Sequence, residues 1–305
     1  MRRAFAETLS ELTRQDPRVL LMSGDLGFMA LEPFSEAHPG RFFNAGVAEQ
    51  NMAGMATGLA EAGYIPFIYS IVTFAVLRPF EFLRNGPIAH RLPVRIVSVG
   101  GGLEYGHNGI SHYGLEDIGV LRTQPGITII CPCDPAQART AIRETWNLPG
   151  PIYYRLGKDD RAVMPGLEGK FALGQAATLR GGNDILLLAL GPAAHEALEA
   201  AALLAGNGVS AKVLAVSSFE CANHITAELA RFRHVVTVEA HYTTGGLGSW
   251  VSELVAENGI PCKVTRCGVR TLPDGTSGSQ AFLHERHGLS ASKLAGTAIA
   301  ALNGA

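Results

Sequence analysis

The sequence has 305 residues, of which 47% are apolar and 17% are charged, and its formal net charge is −2. This length exceeds that of a typical single domain, so we expect two domains. A nearly neutral chain without a basic run interleaved with aromatic residues excludes nucleic acid and anionic membranes as natural partners.

The N-terminal segment and the cysteines predict a cytoplasmic protein. Glu7, Glu11 and Arg14 interrupt the segment before an apolar signal or anchor could form, so we expect no export and no membrane span. The 5 cysteines are odd in number and lack paired Cys-x-x-Cys spacing, which disfavours a disulfide scaffold or a zinc site. We therefore expect a reducing compartment and no metal ligands in this chain.

In the first half, apolar strands alternate with helices. The predicted elements are a helix over 2–15, strands over 18–23, 65–72, 94–99, 128–131 and 152–156, and helices over 75–88, 115–122 and 135–146. A short strand and a glycine turn also precede a helix that opens near Glu49 and ends at Gly63. Such alternation is typical of a mainly parallel sheet covered on both faces.

The second half repeats this alternation after a polar interval. Between Gly157 and Asn183 the sequence is rich in charge, Pro and Gly, which predicts an interdomain linker over 161–183. Strands over 184–190, 211–216, 234–239 and 262–266 then alternate with helices over 193–205, 225–232, 249–258, 279–287 and 291–302. We therefore predict the α/β class, with two doubly wound domains of mainly parallel sheets over residues 1–160 and 184–305.

The run Arg-Phe-Phe-Asn-Ala-Gly-Val-Ala-Glu-Gln-Asn-Met over 41–52 places one carboxylate, Glu49, in the first turn of a buried helix. The helix dipole favours an acid at this position, so Glu49 by itself does not identify a site. Apolar residues recur after it at three- and four-residue steps and form the predicted buried stripe of the helix. These residues are Met52, Met55, Ala56, Leu59 and Ala60.

This run resembles the pyrimidine-binding domain of transketolases and their relatives. There, a Gly-(Val/Ile)-(Ala/Arg)-Glu-(Gln/His) motif carries the glutamate that engages thiamine diphosphate. The resemblance implies that Glu49 hydrogen-bonds N1′ of the aminopyrimidine and favours its imino tautomer, which makes Glu49 both catalytic and cofactor-binding. An apolar pocket suits this role because it disfavours the ionised carboxylate.

Two further stretches match the family. In the run 67–74, Phe74 matches a position whose ring stacks on the aminopyrimidine, although an ordinary core aromatic is the alternative. The run from Asn108 to Asp117 resembles the family's Asp-Gly-(Ala/Pro)-Thr-His-Gln-x-x-Glu-Asp, in which Asn108 replaces an aspartate that binds a sugar hydroxyl. The resemblance places His112 on the active-site histidine, where it would bind substrate or move a proton.

Three more residues are candidates for the site. Asp25, in Gly-Asp-Leu-Gly after the first strand, falls where the family has an acid lining the cofactor site, and a turn-forming role is the alternative. His107 adjoins Asn108 and could reach substrate, although no motif supports it. Arg155 coincides with an arginine that grips the substrate phosphate. Other sugar-phosphate positions of the family are not matched, so phosphorylation of the substrate stays open.

The second half carries a glycine turn and lacks a diphosphate motif. Val238-Glu-Ala-His241 and Gly245-Gly-Leu-Gly248 resemble the family's Val-Glu-Glu-His and Gly-Gly-Leu-Gly, and we interpret the turn as structural, with His241 near a partner interface. Thiamine enzymes hold the diphosphate through Mg²⁺ on Gly-Asp-Gly and a later Asn. The nearest string, Pro273-Asp274-Gly275, lies too close to the C-terminus, so we expect another polypeptide to bind the diphosphate and Mg²⁺.

The resemblance therefore implies the C-terminal subunit of a split transketolase. Such a subunit would transfer a two-carbon ketol unit from a ketose to an aldehyde with thiamine diphosphate and Mg²⁺. It would pair with an N-terminal subunit, as an α2β2 heterotetramer. Alternatives are another thiamine diphosphate carboligase such as a deoxyxylulose phosphate synthase relative, the beta subunit of a 2-oxo acid dehydrogenase, or a non-catalytic assembly subunit.

Overall fold

The computed structural model describes residues 1–272 and 274–304, and its first sheet is entirely parallel. Its strands are β1 (Val19–Ser23), β2 (Phe42–Asn44), β3 (Ile65–Ile71), β4 (Arg95–Val99), β5 (Thr128–Ile130) and β6 (Ile152–Leu156). They lie in the order β2-β1-β3-β4-β6-β5. Every residue of β1, β3, β4 and β6 is buried, as expected for a sheet covered by helices on both faces.

The second sheet is parallel except at one edge. Its strands are β7 (Ala177–Arg180), β8 (Ile185–Leu190), β9 (Ala211–Val216), β10 (His234–Tyr242) and β11 (Lys263–Val269), in the order β11-β10-β8-β9-β7. Strand β7 pairs antiparallel with β9 and comes from the segment predicted as linker. It is a partly exposed edge strand without an apolar run, so the sequence pattern did not reveal it.

Helices cover both sheets. They are α1 (Arg2–Gln15), α2 (Glu32–Ala37), α3 (Glu49–Glu61), α4 (Phe80–Leu83), α5 (Asp117–Arg122), α6 (Pro135–Thr145), α7 (Ala194–Gly206), α8 (Ala222–Leu229), α9 (Leu247–Glu257), α10 (Gln280–Arg286) and α11 (Ala291–Leu302). The predicted fold class, two doubly wound α/β domains with mainly parallel sheets, is confirmed. Within the described ranges, no helix is both long and apolar enough to cross a membrane.

The single helix predicted over 75–88 is wrong. Two π-helical turns, Thr73–Leu77 and Arg84–Ile88, lie on either side of the short helix α4. Pro79 precedes α4 and Pro87 lies inside the second π-turn. Because proline has no N–H to donate, it interrupts the regular α-helical hydrogen bonds.

Helix α3 buries a narrower stripe than the sequence predicts. Met52, Ala56 and Ala60 are buried against the first sheet, and Gly63 follows the helix with a φ of +92°. Met55 is 43% exposed, so its assignment to the buried stripe is wrong. An α-helix has about 3.6 residues per turn, so a residue three positions after a buried one is rotated away from the centre of the buried face. This rotation leaves Met55 outside the contact with the sheet.

The two domains share main-chain hydrogen bonds. Cys131 N–H donates to the Ser217 carbonyl at 2.7 Å, and Tyr242 N–H donates to the Leu115 carbonyl at 3.0 Å. One apolar cluster also contains buried residues from both sheets. The second domain therefore packs directly on the first, at the edge where the loops of the site arise.

His241 is buried at this boundary inside the chain, and its place near a partner interface stays a prediction. The Gly119 N–H donates to His241 Nε2 at 3.3 Å, so Nδ1 carries the proton and lies 2.7 Å from the Tyr242 carbonyl. Burial lowers the pKa of His241, which favours this neutral ring. Gly245 has a φ of +84° and approaches Gly119 so closely that a side chain would not fit, which gives the glycine turn a packing role.

Candidate active site

The carboxyl ends of β1 and β3 meet at a switch point of the first sheet, and we call the region outside these strand ends the crevice. These strands are adjacent in the sheet. After β1 the chain forms β2 on one side of β1 and then β3 on the other side. Open parallel sheets bind ligands at such a switch point, where the loops after the two strands diverge. Glu49 lies here, because it contacts Gly24 after β1 and Ser70 in β3, and its side chain is 0% exposed.

The turn before Glu49 is held by side-chain hydrogen bonds. Gly46 has a φ of +72°, and its N–H donates to Asn44 Oδ1 at 2.9 Å. Asn44 Nδ2 donates in turn to Asp25 Oδ1 at 2.8 Å. Asp25 is exposed and has a φ of +59°, a conformation that Asp adopts more readily than most residues. Asp25 therefore lies at the rim of the crevice and holds the turn that leads into α3.

Both carboxylate oxygens of Glu49 accept hydrogen bonds. Ser70 Oγ donates to Oε1 at 3.2 Å, and Arg78 Nη1 donates to Oε2 at 2.5 Å. A Cβ added to Gly24 would lie 3.2 Å from both Cγ and Oε1 of Glu49. The buried acid is therefore fixed by one hydroxyl, one guanidinium and a close backbone approach.

Aromatic rings extend the cluster from Glu49 toward the surface. The Arg78 Cζ lies 4.3 Å from the centroid of the Phe74 ring. The Phe74 and His112 rings meet edge to face, with centroids 5.2 Å apart and planes at 75°. Ser111 Oγ lies 3.0 Å from His112 Nδ1, and Thr73 Oγ1 donates to the Ser111 carbonyl at 3.2 Å. The structure thus brings Glu49, Phe74 and His112 into one continuous cluster.

The loop over 103–113 carries three of the predicted residues. Backbone hydrogen bonds between Gly102 and Gly114 close its base. His107 and Asn108 are exposed in its first 3₁₀ turn, and none of their described contacts is with Glu49 or Phe74. They therefore lie at the rim, on the loop that presents His112.

The second domain supports this loop through Tyr113, a residue of the loop that the sequence analysis missed. The Tyr113 hydroxyl lies 3.1 Å from the Gly106 carbonyl and 2.9 Å from the Thr276 carbonyl. The Gly278 N–H also donates to the Gly106 carbonyl at 3.1 Å. The position of His112 therefore depends on packing against the C-terminal half of the chain.

Arg155 is buried apart from this cluster, and its contact with a substrate phosphate stays a prediction. Its side chain is 5% exposed, and its Nε donates to Asp117 Oδ2 at 2.8 Å. Its Nη2 donates to the carbonyls of Gly114 at 2.8 Å and Ala240 at 3.0 Å. The buried carboxylate of Asp117 attracts the guanidinium into the core, where it joins β6, the base of the 103–113 loop and the second domain.

The sequence analysis predicted that this chain has no metal ligands and that the string at 273–275 does not bind a diphosphate. Within the described ranges, no three His, Cys, Asp or Glu residues are grouped as metal ligands. Pro273 lies outside the described residues. The adjoining Asp274 is exposed. Its carboxylate accepts hydrogen bonds from Arg286 Nη2 at 2.5 Å and from Thr276 Oγ1 at 2.6 Å. Asp274 is therefore engaged in a surface ion pair.

The sequence and the fold match one family over both halves. The family described as transketolase, pyrimidine binding domain, matches residues 1–161, and transketolase, C-terminal domain, matches residues 174–294. The chain belongs to the transketolase family. Its predicted relationship to the C-terminal subunits of split transketolases is confirmed by the relatives described next.

Three transketolase relatives share most of their length with this chain. It is 35% identical to the 6-deoxy-6-sulfo-D-fructose transketolase subunit SqwH of Clostridium sp. (strain MSTE9), covering 96% of this chain and 92% of that protein. It is 35% identical to an apulose-4-phosphate transketolase subunit of Phocaeicola vulgatus, covering 86% of each. A solved structure described as a split gene transketolase, inactive beta4 tetramer, has a TM-score of 0.88 and 32% identity, covering 99% of this chain and 98% of that one.

Besides Tyr113, three residues that hold the cluster and the adjoining loop escaped the sequence analysis. Ser70 lies within a wholly buried strand, and a serine among apolar residues there was the available signal. Asp117 ends the His112 motif, but its partner Arg155 is distant in sequence. Arg78 follows an apolar run in a segment predicted as regular helix, so no pattern pointed to it. These contacts depend on how the chain folds around β1 and β3.

Proposed function

We propose that this chain is the thiamine diphosphate-binding C-terminal subunit of a transketolase that transfers a two-carbon ketol unit from a ketose to an aldehyde. The observation that supports this most is the fully buried Glu49 at the switch point between β1 and β3, in a cluster with Phe74 and His112. We place the pyrimidine-binding domain at 1–160 and the C-terminal domain at 184–305.

The residues of the cluster fit an aminopyrimidine. Glu49 offers carboxylate oxygens and Phe74 offers a ring face. In this chain the Arg78 guanidinium, a planar group with N–H donors, contacts both of them. An aminopyrimidine is likewise planar, and its N1′ forms a hydrogen bond with a protonated carboxyl group, so it matches the same two contacts. Gly24 leaves the space that Glu49 needs to lie at the strand ends.

Each residue then has a role in the transfer. Glu49 holds a proton at a carboxylate oxygen facing the pyrimidine, and Phe74 orients the ring by stacking. His112 is held at Nδ1 by Ser111, so Nε2 is the ring nitrogen that we assign to the substrate hydroxyl or carbonyl. Thiamine diphosphate, when bound, supplies the nucleophilic carbon for carbon–carbon bond cleavage and formation.

The rim residues have supporting roles. Asn108 and His107 lie on the loop that presents His112, where they would meet the substrate as it enters. Asp25 fixes the turn before α3 through Asn44 and lines the cofactor crevice. Arg155 is paired with the buried Asp117 in this chain, and a contact with a substrate phosphate stays a prediction for it.

We also propose that a second chain completes the enzyme. Two of the relatives are named as subunits, and the related solved structure contains an inactive tetramer of beta chains. An N-terminal subunit would hold the diphosphate and Mg²⁺, in an α2β2 heterotetramer. The 5 cysteines are free, which supports a reducing compartment such as the cytoplasm.

Reconstitution tests this function. The chain is purified alone and together with a subunit that carries the Gly-Asp-Gly segment, each with thiamine diphosphate and Mg²⁺. We expect ketol transfer between a ketose and an aldehyde from the pair and none from the chain alone. A series of phosphorylated and unphosphorylated ketoses identifies the donor. A folded pair that transfers no ketol group, or one that turns over only with a lipoyl domain, contradicts the proposal.

Replacing Gly24 with Ala tests the position of Glu49. The added methyl lies within 3.2 Å of the Glu49 side chain, so the carboxylate must shift by a few tenths of an ångström. We expect kcat of the reconstituted pair to fall by about tenfold, because a small misplacement of a catalytic group is costly. Gly40→Ala is the matched control, since an added Cβ there meets nothing within 4 Å. Equal kcat for the two variants would contradict the proposed role of the close approach.

A further inference from the structure

Arg78 contacts both residues that we assign to the aminopyrimidine. Its Nη1 lies 2.5 Å from Glu49 Oε2, and its Cζ lies 4.3 Å from the Phe74 centroid. The side chain is 37% exposed, so it reaches from the surface to a carboxylate that is 0% exposed. A guanidinium is planar, delocalised and rich in N–H donors, and it stacks on aromatic faces. It therefore imitates the planar shape of an aminopyrimidine and occupies the same two groups, the Glu49 carboxyl and the Phe74 ring face.

We propose that Arg78 is an internal occupant of the aminopyrimidine site, which the cofactor must displace in order to bind. This inference rests on the proposed function, because it takes Glu49 and Phe74 as the cofactor contacts. The ring face that Arg78 covers accommodates one planar group, so the two occupants exclude one another. The apparent affinity for the pyrimidine is then reduced in proportion to the fraction of chains in which Arg78 has left the site.

The backbone around Arg78 permits this movement. Arg78 follows the π-helical turn Thr73–Leu77, and its N–H donates to the Thr73 carbonyl at 3.2 Å. Pro79 comes next and has no N–H, so Arg78 lies at a break between two helical segments. π-helical turns are concentrated at functional sites. Rotation of a side chain that is already part-exposed moves the guanidinium into solvent without unfolding either segment.

The exchange also explains how a carboxylate is kept in the core. A buried carboxylate without a partner is strongly unfavourable, and Arg78 provides a charged partner while Ser70 provides only a hydroxyl. When Glu49 takes up a proton, its carboxyl group donates to N1′ of the aminopyrimidine, and this hydrogen bond replaces the one that Arg78 gives up. The site is therefore closed in the chain by itself and opens when the rest of the cofactor, held by the second subunit, contributes enough binding free energy.

Binding of the pyrimidine half alone tests the role of Arg78. The probe is 4-amino-5-hydroxymethyl-2-methylpyrimidine, titrated by calorimetry into the full chain without a partner subunit. We expect Arg78→Ala to bind the probe at least about tenfold more tightly than the wild type, because the competing occupant is gone. Arg84→Ala is the matched control in the same segment: Arg84 is exposed, donates to Asn85 Oδ1 at 2.9 Å, and should leave binding unchanged. Glu49→Ala added to Arg78→Ala removes the carboxyl contact with the probe and should remove the gain.

Arg78→Lys covers the case in which Arg78→Ala does not fold, as judged by thermal unfolding. Lysine keeps a cation for Glu49 but lacks the planar group that covers Phe74, so a smaller gain in probe affinity is expected. Equal or weaker binding by the folded Arg78 variants, or no detectable binding by any of them, overturns the inference. Ketol transfer by the wild-type reconstituted pair is measured in parallel, and its absence contradicts the proposed function separately from the result for Arg78.

Discussion

Glu49→Gln should lower ketol transfer by the reconstituted pair by about 10²–10⁴-fold, the range for loss of a positioned acid–base group. Glutamine has nearly the same shape and can still accept a hydrogen bond from Ser70, so the fold of the crevice is kept. It cannot hold and release a proton at Oε2, where the pyrimidine is proposed to lie. The measurement is kcat with saturating thiamine diphosphate and Mg²⁺, so that weaker cofactor binding is not mistaken for slower chemistry.

Glu61→Gln is the matched control for this variant. Glu61 is the last residue of the same helix, α3, and is exposed, so the same chemical change there should leave kcat unchanged. Thermal unfolding of both variants shows whether the fold is intact. If Glu49→Gln keeps activity within a few-fold of the wild type, Glu49 is not the proton-holding group and the catalytic role proposed for it fails.

Arg155→Met should have the largest effect on stability. It leaves the 0% exposed carboxylate of Asp117 without its cation, and breaking a buried ion pair in this way costs about 3–5 kcal/mol. The Gly114 and Ala240 carbonyls lose their donor as well. The measurement is the shift in the urea unfolding midpoint of the chain. Arg143→Met is the control, because its surface pair with Glu11 is worth about 0–1 kcal/mol.

A double variant separates the buried ion pair from a substrate role. When Asp117→Leu is added to Arg155→Met, both charges leave the core, and a large part of the lost stability should return. Unchanged stability of Arg155→Met, together with a raised KM for a phosphorylated ketose, would support the predicted contact with a substrate phosphate. The structure predicts the opposite, because the guanidinium is engaged inside the protein.

The sequence predicted most of the secondary structure for a simple physical reason. Strand β8, for example, is a continuous apolar run, and a buried parallel strand requires that pattern. The strands and helices that it missed lack the pattern: β7 is a partly exposed edge strand, and α2 is short. The π-helical turns around α4 escaped because apolar spacing does not distinguish them from an α-helix.

By itself, the sequence determined the two α/β domains, the family, and the place of Glu49 at the start of α3 after a glycine turn, because these follow from local patterns and short motifs. The tertiary structure decided which charged groups face each other. Arg155 matched a substrate-binding position but is drawn into the core by Asp117, whereas Arg78 matched no motif and reaches Glu49. Ion pairs between residues distant in sequence depend on how strands and loops meet in space, and no spacing along the chain encodes that arrangement.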